Sequence, residues 1–408
     1  MKPIVMITSF PPRLCGIGTF AEEAIEFIQK NDPHKRDVHI ISHTDGLGDN
    51  VIPLIDLSRP DWWKDVAEKV HKIDPSIVHV EHEYGLYNYI DEKGQSDLNA
   101  GFLHMLEALT DVPTIIEPHT VHGRLRPIEE EFILRVTQLA SVVIFKCAYQ
   151  KWRLEWMLWD KGIHPPKNIV IIPHGARPDR RYRPEDTDAI KEELGQADLC
   201  GKRLAGLVGW IQRNKRWDIA ADIWADVGPE ICEQTGQEWI LFAAGDMRDP
   251  NHRPDYEKYL GKLRDLEARG LARFFRFIPR GEIYYKVMNI CDFVILPTLD
   301  ETQSGTLARI IALNKPYVTT APLEGLTAQT VESDGGFLFT DRDSLKRALF
   351  RLAEKEDLRW RMGNRLRKYL ETTVSWDIVA RQYLHAYEEA ADALTHGAKP
   401  EFPSDFGV

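Results

Sequence analysis

The sequence predicts an α/β fold made of two doubly wound parallel sheets, each in its own Rossmann-like domain. Short apolar runs rich in β-branched residues alternate with stretches of helical spacing, and this alternation continues through both halves of the chain. Continuous apolar runs are typical of parallel strands that helices cover on both faces. The length of 408 residues also fits two hydrophobic cores better than one.

Apolar runs in the first half predict six strands. They are residues 4–8, 38–42, 77–81, 114–117, 142–145 and 169–172. Helical spacing between them is clear in Phe20, Ala24 and Phe27. A Pro- and Gly-containing stretch then begins at Pro173 and is followed by charged residues, which is typical of a hinge. We therefore predict an N-terminal domain over 1–173 and a hinge over 174–184.

The second half repeats the pattern. Its predicted strands are residues 204–208, 239–243, 274–278, 293–297, 316–319 and 336–339. These define a C-terminal domain over 185–373. A last long helix, within 374–395, follows the second sheet and has no strand after it. Residues 396–408 contain Gly, Lys and Pro and are expected to form a poorly ordered tail.

Composition excludes several classes of protein. Asp plus Glu outnumber Lys plus Arg by 63 to 52, giving a net charge of −11, which argues against nucleic acid as a partner because phosphate neutralisation needs a basic face. No apolar run reaches the ~18 residues of a membrane span. The five cysteines are far apart and include no CxxC pair, so we expect reduced thiols in a cytoplasmic protein.

A glycine-containing loop follows the first strand. Gly16 and Gly18 open the next helix, where free N–H groups could bind phosphate. With Ala21 they also match the dinucleotide fingerprint of an oxidoreductase, although a loop intervenes and the nearest suitable acid, Asp45, comes 27 positions after Gly18. Glycines needed only for a tight turn are an equal alternative.

Polar residues also follow the strand that ends near residue 81. His82 and Glu83 begin an apparent HExxH motif, but position 86 is Leu and the segment is a strand, so we predict no metal site. The two residues are candidates for lining an acceptor site, and ordinary strand-end residues are the alternative.

Histidines and arginines cluster after the next strand. His119 is followed by His122, Arg124 and Arg126. A lone histidine here would more often be structural, but a cation cluster in an acidic protein indicates an anionic or hydroxyl-bearing ligand. We assign Arg124 and Arg126 as acceptor-binding candidates.

Two strand-to-helix junctions of the second half carry the remaining motifs. Gly209 precedes three cations, Arg213, Lys215 and Arg216, which could clamp a diphosphate; a solvated basic turn is the alternative. The second junction, 297–309, combines carboxylates that suit sugar hydroxyls with hydroxyl and backbone groups that suit phosphate. Helix capping by Ser304 or Thr302 is its alternative.

Taken in order, these motifs resemble the retaining GT-B glycosyltransferases of glycosyltransferase family 4 over nearly the whole chain. The matching segments are 16–18, His119, 172–175, 209–218, 245–246, 301–316 and the helix start 375–378. The resemblance implies the GT-B fold, in which two Rossmann-like domains face a cleft and the C-terminal helix crosses back to the N-terminal domain.

The resemblance also implies a hexosyltransferase that moves mannose or glucose from a nucleotide-diphosphate sugar to a hydroxyl acceptor without a metal. His119, Lys215 and Glu301 match the catalytic positions. The donor-binding positions implied are Gly16, Gly18, Gly209, Arg213, Lys215, Ile278, Glu301, Ser304, Gly305, Thr306 and Arg309. GDP-mannose or UDP- or ADP-glucose would be the co-substrate, with no tightly bound cofactor, and the acceptor would be a small molecule, a saccharide or a lipid-linked compound.

The chain departs from the family at two positions. Trp210 stands where the family often has Arg, and Arg309 stands where it has a ribose-binding acid; a guanidinium has no acceptor for ribose hydroxyl protons. A nicotinamide-dependent oxidoreductase, a GT-B-fold sugar epimerase and a sugar-binding protein remain alternatives.

Three tryptophans within 152–159 have basic neighbours. Peripheral membrane contact is one interpretation of this segment, and burial of the tryptophans between helices is the one we favour.

Overall fold

The computed structural model describes residues 1–122, 125–180, 182, 186–299 and 302–402. It contains one parallel sheet of seven strands and one of six, each with helices, which confirms the predicted doubly wound α/β class. Contacts divide the chain into two compact units. Unit 1 consists of Met1–Gly175 and the chain from Trp376 onward, and unit 2 consists of Ala176–Ser375.

Unit 1 has the strand order β3-β2-β1-β4-β5-β6-β7. Its strands are β1 (Ile4–Ile7), β2 (Val38–His43), β3 (Val51–Ile55), β4 (Ile77–His82), β5 (Thr114–Pro118), β6 (Val142–Phe145) and β7 (Ile169–Ile171). Its helices are α1 (Gly16–Asn31), α2 (Trp62–Ile73), α3 (Ala100–Ala108), α4 (Pro127–Leu139), α5 (Ala148–Asp160) and, from the end of the chain, α14 (Trp376–Thr395).

The central strands of unit 1 are buried on both faces. All residues of β1, β4 and β5 are buried. Along β1, Val5 and Ile7 belong to one apolar cluster, and Ile4 and Met6 belong to another, which also contains residues of α1 and α14. This alternation explains why the strands read as continuous apolar runs.

One strand of unit 1 escaped the sequence analysis. β3 reads Val-Ile-Pro-Leu-Ile and lies at the edge of the sheet beside β2. Pro53 cannot donate to a strand ladder, so it is tolerated only where one side of the strand has no partner. The proline hid the strand in the sequence, although it is compatible with this edge position.

Helix α14 packs against α1, as the resemblance implied. Trp376, which is 0% exposed, contacts the rings of Phe20 and Phe27, and its Nε1 donates to Glu23 Oε2 at 3.0 Å. A Cβ on Gly175 would lie 2.3 Å from the Trp376 ring. The glycine of the 172–175 motif is therefore required by the packing of this tryptophan.

Unit 2 has the strand order β10-β9-β8-β11-β12-β13. Its strands are β8 (Arg203–Val208), β9 (Trp239–Gly245), β10 (Ala272–Arg276), β11 (Phe293–Leu296), β12 (Tyr317–Thr320) and β13 (Gly336–Phe339). Its helices are α6 (Thr187–Glu193), α7 (Trp217–Thr235), α8 (Arg253–Ala268), α9 (Gly281–Asn289), α10 (Gly305–Ala312), α11 (Glu324–Ser333), α12 (Arg342–Glu354) and α13 (Glu356–Tyr369). β10 begins two residues before the predicted strand, because it pairs in register with β9 from Leu241 to Gly245.

The expectation of a poorly ordered tail is wrong as far as residue 402. Lys399 Nζ donates to three carbonyls at the end of α4, and the Phe402 N–H donates to Lys167 O at 2.8 Å. Hydrogen bonding, which composition does not reveal, fixes this segment. Among the described residues, none of the helices is both long enough and apolar enough to cross a membrane.

Candidate functional site

Three of the predicted site residues of unit 1, His82, Glu83 and His119, lie at the carboxyl ends of β4 and β5. His119 directly follows β5, and its main-chain N–H continues the sheet by donating to His82 O at 2.8 Å. The His119 side chain is 10% exposed and packs edge-to-face on Phe20. Its Nε2 lies 2.6 Å from Oε2 of Glu81, which is 0% exposed. His119 is thus held in one orientation by a buried carboxyl group.

A buried group of ionisable side chains surrounds Glu81. Glu117 on β5 contacts the ammonium of Lys146, which directly follows β6, and Lys146 Nζ also lies 3.1 Å from the Tyr383 hydroxyl. His79 on β4 places Nε2 3.3 Å from Glu117 Oε2 and 3.7 Å from Glu81 Oε1. We call Glu81, Glu117, His79, Lys146 and His119 the buried charge cluster.

Burial and neighbouring charges shift the pKa values of this cluster in opposite directions. Burial and the adjacent Glu117 raise the pKa of Glu81 to about 8. Burial alone would also raise the pKa of Glu117, but Lys146 and His79 bring it well below its ordinary value. Burial lowers the pKa of His119 to about 4, and Lys146 adds to this effect. At neutral pH we therefore expect an ionised Glu117 beside a neutral Glu81 and a neutral His119.

The buried charge cluster contains one imidazole and two carboxyl groups, which bind metal ions in many proteins. His79, Glu81 and Glu117 each offer one possible ligand atom. These three atoms lie within 4.8 Å of one another, and all three residues are buried. Lys146 already contacts Glu117 with its positive charge. A divalent cation beside this ammonium would be repelled, so the residues present do not fit a metal site.

His82 and Glu83 have different surroundings. His82 is 1% exposed, and its ring packs among Tyr87, Phe102 and Phe132, while burial lowers its pKa to about 3. This enclosure gives His82 a packing role, and its acceptor contact stays a prediction. Glu83 is partly exposed and accepts a hydrogen bond from Thr120 Oγ1 at 2.5 Å, so it stays a candidate beside His119.

The structure describes one of the two arginines that were predicted to bind the acceptor. Arg124 lies outside the described residues. The Arg126 side chain is 75% exposed, and its Nη2 donates to Glu129 Oε1 at 2.8 Å. Glu129 Oε2 accepts from the Arg126 main-chain N–H, so this pair closes the N-terminus of α4. An acceptor contact of Arg126 stays a prediction.

The two glycines of the loop after β1 were explained either by phosphate binding or by the need for a tight turn. A Cβ on Gly18 would lie 3.1 Å from the Ser9 carbonyl oxygen, whereas a Cβ on Gly16 would have nothing within 4 Å. Close packing against the Ser9 main chain therefore explains why position 18 is a glycine, but it does not explain the glycine at position 16. Asp45, the acid required by the dinucleotide alternative, forms a salt bridge with Arg13 at 2.9 Å.

A pocket at the carboxyl ends of β8 and β11 brings together three of the predicted residues of unit 2, Gly209, Lys215 and Thr306. Its lining includes Val208, Gly209, Trp210, Lys215, Thr298 and Thr306. Gly209 has φ +140°, which side chains disfavour, and a Cβ there would lie 3.0 Å from the Tyr284 hydroxyl. The main chain thus approaches the pocket at Gly209 without a side chain in the way.

The short turn Arg213–Lys215 carries Lys215 into this pocket. The Asn214 carbonyl oxygen accepts from the Leu299 N–H at 2.8 Å and from Thr298 Oγ1 at 3.2 Å, which ties the turn to the end of β11. The Arg213 side chain is exposed and does not line the pocket. Arg216 pairs with Asp218 at 3.0 Å. Of the three cations, therefore, only Lys215 contributes to the pocket lining in the described structure.

The N-terminus of α10 forms another side of the pocket. Ser304 is the N-cap, and its hydroxyl accepts from the Leu307 N–H at 3.3 Å, as the capping alternative predicted. Thr306 lines the pocket, and its Oγ1 lies 2.8 Å from the Tyr284 hydroxyl. Gly305 starts the helix between them. Glu301, the predicted sugar-binding acid, lies outside the described residues.

Arg309 lies one turn into α10 and points across the rings of α9. Its guanidinium is 4.9 Å from the Tyr284 ring centre and 5.6 Å from that of Tyr285, and its Nη1 donates to Gly305 O at 2.8 Å. These contacts stabilise the pocket wall. Ile278, one of the implied donor-binding positions, is 54% exposed.

The preference for buried tryptophans in α5 is wrong for Trp156, which is 57% exposed. Trp152 contacts both Tyr149 and Trp156, so the helix presents a partly exposed aromatic row. Single exposed aromatic residues are common on protein surfaces.

Motif spacing does not predict the buried charge cluster. Glu81 and Glu117 belong to β4 and β5, whereas Lys146 follows β6 and the two tyrosines belong to α14. An available signal was that three successive strands each carry a charged residue at or just beyond the end of an apolar run.

No protein-family model matches the chain, and no curated protein matches it by sequence. Solved structures do match. HepE of Anabaena in complex with UDP is 14% identical with a TM-score of 0.69, over 95% of this chain and 100% of that one. Sucrose-phosphate synthase from Thermosynechococcus elongatus is 15% identical with a TM-score of 0.71, over 96% and 100%. A glycosyltransferase from Rickettsia africae is 14% identical with a TM-score of 0.71, over 95% and 98%. The chain therefore has the GT-B fold.

Proposed function

We propose that this protein is a retaining glycosyltransferase that moves a hexose, mannose or glucose, from a nucleotide-diphosphate sugar to a hydroxyl acceptor. The observation that carries the proposal is the pocket of unit 2, where Lys215, the main chain at Gly209 and the start of α10 converge. A lysine ammonium, a close main-chain approach and a helix N-terminus are a suitable combination for a diphosphate.

Similarity to solved structures supports the choice of ligand. HepE of Anabaena has been solved in complex with UDP-glucose, and a trehalose-6-phosphate synthase from E. coli with UDP-2-fluoro glucose. Both share the fold of this chain at TM-scores of 0.69 and 0.68. Fold does not determine chemistry, and the features that favour transfer are the pocket of unit 2 and the fixed side chain of His119 in unit 1.

In the proposed reaction negative charge gathers on the departing diphosphate, while the sugar becomes oxocarbenium-like. Lys215 and the N–H groups at the start of α10 stabilise that charge, so the step requires no metal. The acceptor hydroxyl attacks the face that the diphosphate leaves, and the leaving phosphate takes its proton. His119 donates a hydrogen bond to an oxygen of the reacting sugar, and Glu301 binds sugar hydroxyls.

The decisive experiment is a thermal-shift screen with UDP-, GDP- and ADP-sugars, with NADH as the comparison. A ligand present at 100 times its Kd stabilises the folded protein by about 2.7 kcal/mol. We expect one nucleotide-sugar series to raise the Tm and NADH to leave it unchanged. A Tm that responds to NADH alone would favour the oxidoreductase alternative.

Lys215→Ala then tests the pocket itself. We expect the donor-induced Tm shift to disappear and transfer of labelled sugar to fall by about two orders of magnitude or more, because the diphosphate charge loses its cation. Lys202→Ala is the matched control, since Lys202 pairs with Glu238 on the surface of the same unit. Equal turnover by the two variants would exclude the proposed role. The anomeric configuration of the product, read by NMR, tests retention.

A further inference from the structure

The hydrogen bond between Glu81 and His119 determines what His119 can do. Glu81 Oε2 and His119 Nε2 are 2.6 Å apart, and the carboxyl group is 0% exposed. If the carboxylate accepts, the proton is on Nε2 and Nδ1 is a bare acceptor. If a neutral carboxyl group donates, Nε2 is bare and Nδ1 carries the ring proton as a donor. The two arrangements give the histidine opposite hydrogen-bonding characters.

Charge counting within the buried charge cluster favours the second arrangement. The cluster has two carboxyl groups, but its one ammonium, Lys146, contacts Glu117 and not Glu81. Two ionised carboxylates with one cation would leave a net negative charge in a site without solvent. Burying such an unpaired charge is costly, so one of the two carboxyl groups keeps its proton.

His79 does not remove this imbalance. Its Nδ1 lies 2.7 Å from the Tyr387 hydroxyl, whose pKa burial raises well above the ordinary value, so the phenol keeps its proton and can donate. If the phenol donates to Nδ1, a neutral His79 ring carries its N–H at Nε2, and Glu117 Oε2 is nearer to that atom (3.3 Å) than Glu81 Oε1 is (3.7 Å). Within the described structure, Glu81 Oε1 is buried without a hydrogen-bond partner, and so are both carboxyl oxygens of Glu117; the difference is that Glu117 has the Lys146 ammonium as its cation and Glu81 has none within contact. A buried carboxylate needs a cation or several donors to offset its charge, whereas a neutral acid carries no charge and can donate from one oxygen.

The titration behaviour agrees with the geometry. Burial and Glu117 raise the pKa of Glu81 to about 8, and burial lowers that of His119 to about 4. Between these values both groups are neutral, which leaves one proton on the carboxyl group and one on the ring.

We propose that Glu81 is a positioning residue, held as a neutral carboxylic acid that donates from Oε2 to Nε2 of His119 and so fixes Nδ1–H as the donor of this histidine. A carboxylic acid that stays neutral in an apolar site can serve as a hydrogen-bond donor. In the transferase proposed above, on which this role rests, His119 acts as a fixed neutral donor and not as a general base.

The arrangement is sensitive to pH. Glu81 faces Glu117, His79 and His119 within the cluster, Lys146 contacts Glu117, and the charge of Glu83 acts on His119. The α14 hydroxyls of Tyr383 and Tyr387 contact Lys146 and His79 of the same cluster. When Glu81 ionises, its carboxylate favours a proton on Nε2, and the Nδ1–H donor is lost.

Nitrogen-15 NMR of the full, unliganded chain labelled at histidine tests the proposal. The His119 signals are assigned by their loss in His119→Asn. We expect a neutral ring with an unprotonated Nε2 and a protonated Nδ1 at neutral pH, and a change of tautomer as the pH rises through about 8. A neutral ring protonated at Nε2, or an imidazolium, would overturn the proposal.

Infrared difference spectroscopy provides the second measurement. Wild-type protein should show the C=O band of a protonated carboxylic acid, and Glu81→Gln should lose it. Glu130→Gln is the matched control, because Glu130 is a largely buried acid that pairs with Lys161 at 2.5 Å and should contribute no such band. A band equally present in wild type and Glu81→Gln would count against a neutral Glu81.

The variants also separate positioning from a general structural role. The side-chain amide introduced by Glu81→Gln keeps an N–H donor for Nε2, so this variant should retain the Nδ1–H tautomer but lose its change near pH 8. Glu81→Leu has no donor, and its His119 should become a mixture of tautomers. A pH-dependent tautomer change that persists in Glu81→Gln would contradict the proposal. None of these measurements needs a sugar donor, so they can fail or succeed independently of the proposed transfer activity.

Discussion

The two candidate site regions of this protein are built by opposite means. In unit 1 the residues around His119 are ionisable side chains enclosed at the ends of β4, β5 and β6, where Glu81, Glu117 and His79 are 0% exposed. In unit 2 the pocket is lined by main chain at Gly209, by hydroxyl groups and by the half-buried Lys215. The first region depends on where protons and charges are, and the second depends on the space that the main chain leaves open.

This difference predicts different weaknesses. A change of charge should damage the His119 region even when the volume is conserved, because the buried charges balance one another. A small change of volume should damage the Gly209 region even when no charge changes, because its surfaces are in contact. The following predictions test this contrast.

Lys146→Met should have the largest effect on stability. The substitution keeps the length of the side chain but leaves Glu117 as a buried carboxylate without its cation, and breaking such a pair costs about 3–5 kcal/mol. The measurement is the free energy of unfolding in urea at neutral pH. Lys161→Met is the control, because Lys161 is 48% exposed and its pair with Glu130 should contribute no more than about 1 kcal/mol. Equal losses in the two variants would mean that burial does not govern the cluster.

Gly245→Ala should disturb the pocket of unit 2 through volume alone. The added Cβ would lie 1.9 Å from the Gly209 carbonyl oxygen, so β9 and the pocket wall must separate, at a cost of about 1–3 kcal/mol or more. Gly261→Ala makes the same chemical change in the middle of α8, where a Cβ would meet nothing within 4 Å. It should stabilise the protein by up to about 1 kcal/mol. Thermal unfolding of both variants would show whether the effects have opposite signs.

The His119 region should also give stability an optimum near pH 6.5. Below that value the unfolded chain protonates His82 and His119, whose folded pKa values are lowered to about 3 and 4, so acid favours unfolding. Glu81 has the opposite effect on stability. Between pH 6.5 and its ordinary pKa of 4.5, the folded state holds one proton on Glu81 that the unfolded state lacks. From pH 6.5 to 8 the folded state keeps a proton on Glu81 that the unfolded state has lost, so Glu81 makes stability fall as the pH rises. Lys399, whose pKa burial lowers to about 8, acts in the opposite direction only near the upper end of this range.

Each net proton changes stability by about 1.4 kcal/mol per pH unit. The measurement is the Tm as a function of pH for wild type and Glu81→Gln. The alkaline decline should be absent from Glu81→Gln, and the acid decline should become steeper. An unchanged alkaline decline would show that Glu81 is not the group responsible.

Tyr284→Phe should have the smallest effect. It removes the hydroxyl that lies 2.8 Å from Thr306 Oγ1 and keeps the ring beside Arg309, so we expect a loss of about 1 kcal/mol. The donor-induced Tm shift should fall with it if Thr306 needs this partner for its orientation. Tyr182→Phe is a control on an exposed hydroxyl of the same unit, which contacts Glu282. A larger loss from the control would contradict the assignment of Tyr284 to the pocket wall.

The sequence predicted the strands well because buried parallel strands leave a simple signal. Twelve apolar runs matched strands, and the one that was missed, β3, is interrupted by Pro53 at a sheet edge. The motifs of the pocket were recognisable for a related reason. Gly209 and Lys215 follow β8, Thr306 follows β11, and β8 and β11 are neighbouring parallel strands, so their carboxyl ends lie at one edge of the sheet.

The surroundings of other site residues could not be predicted from their positions at strand ends. Arg216 and Arg213 look equivalent to Lys215 in the sequence, but a salt bridge holds the first and solvent surrounds the second. His82 looked like a ligand-binding residue and is packed among aromatic rings. Burial and pairing, which depend on residues far away in the chain, decide such cases.

The amino-acid sequence by itself determined the class of fold, the order of its elements and the strand ends where polar residues gather, because these follow from local periodicity and from the geometry of parallel sheets. Only the tertiary structure decided that Lys146 and the tyrosines of α14 join Glu81 and Glu117 in one buried cluster. These residues come from β4, β5, the end of β6 and a helix more than 230 positions further along the chain. Their protonation depends on mutual distance and exclusion of water, and neither quantity exists until the chain has folded.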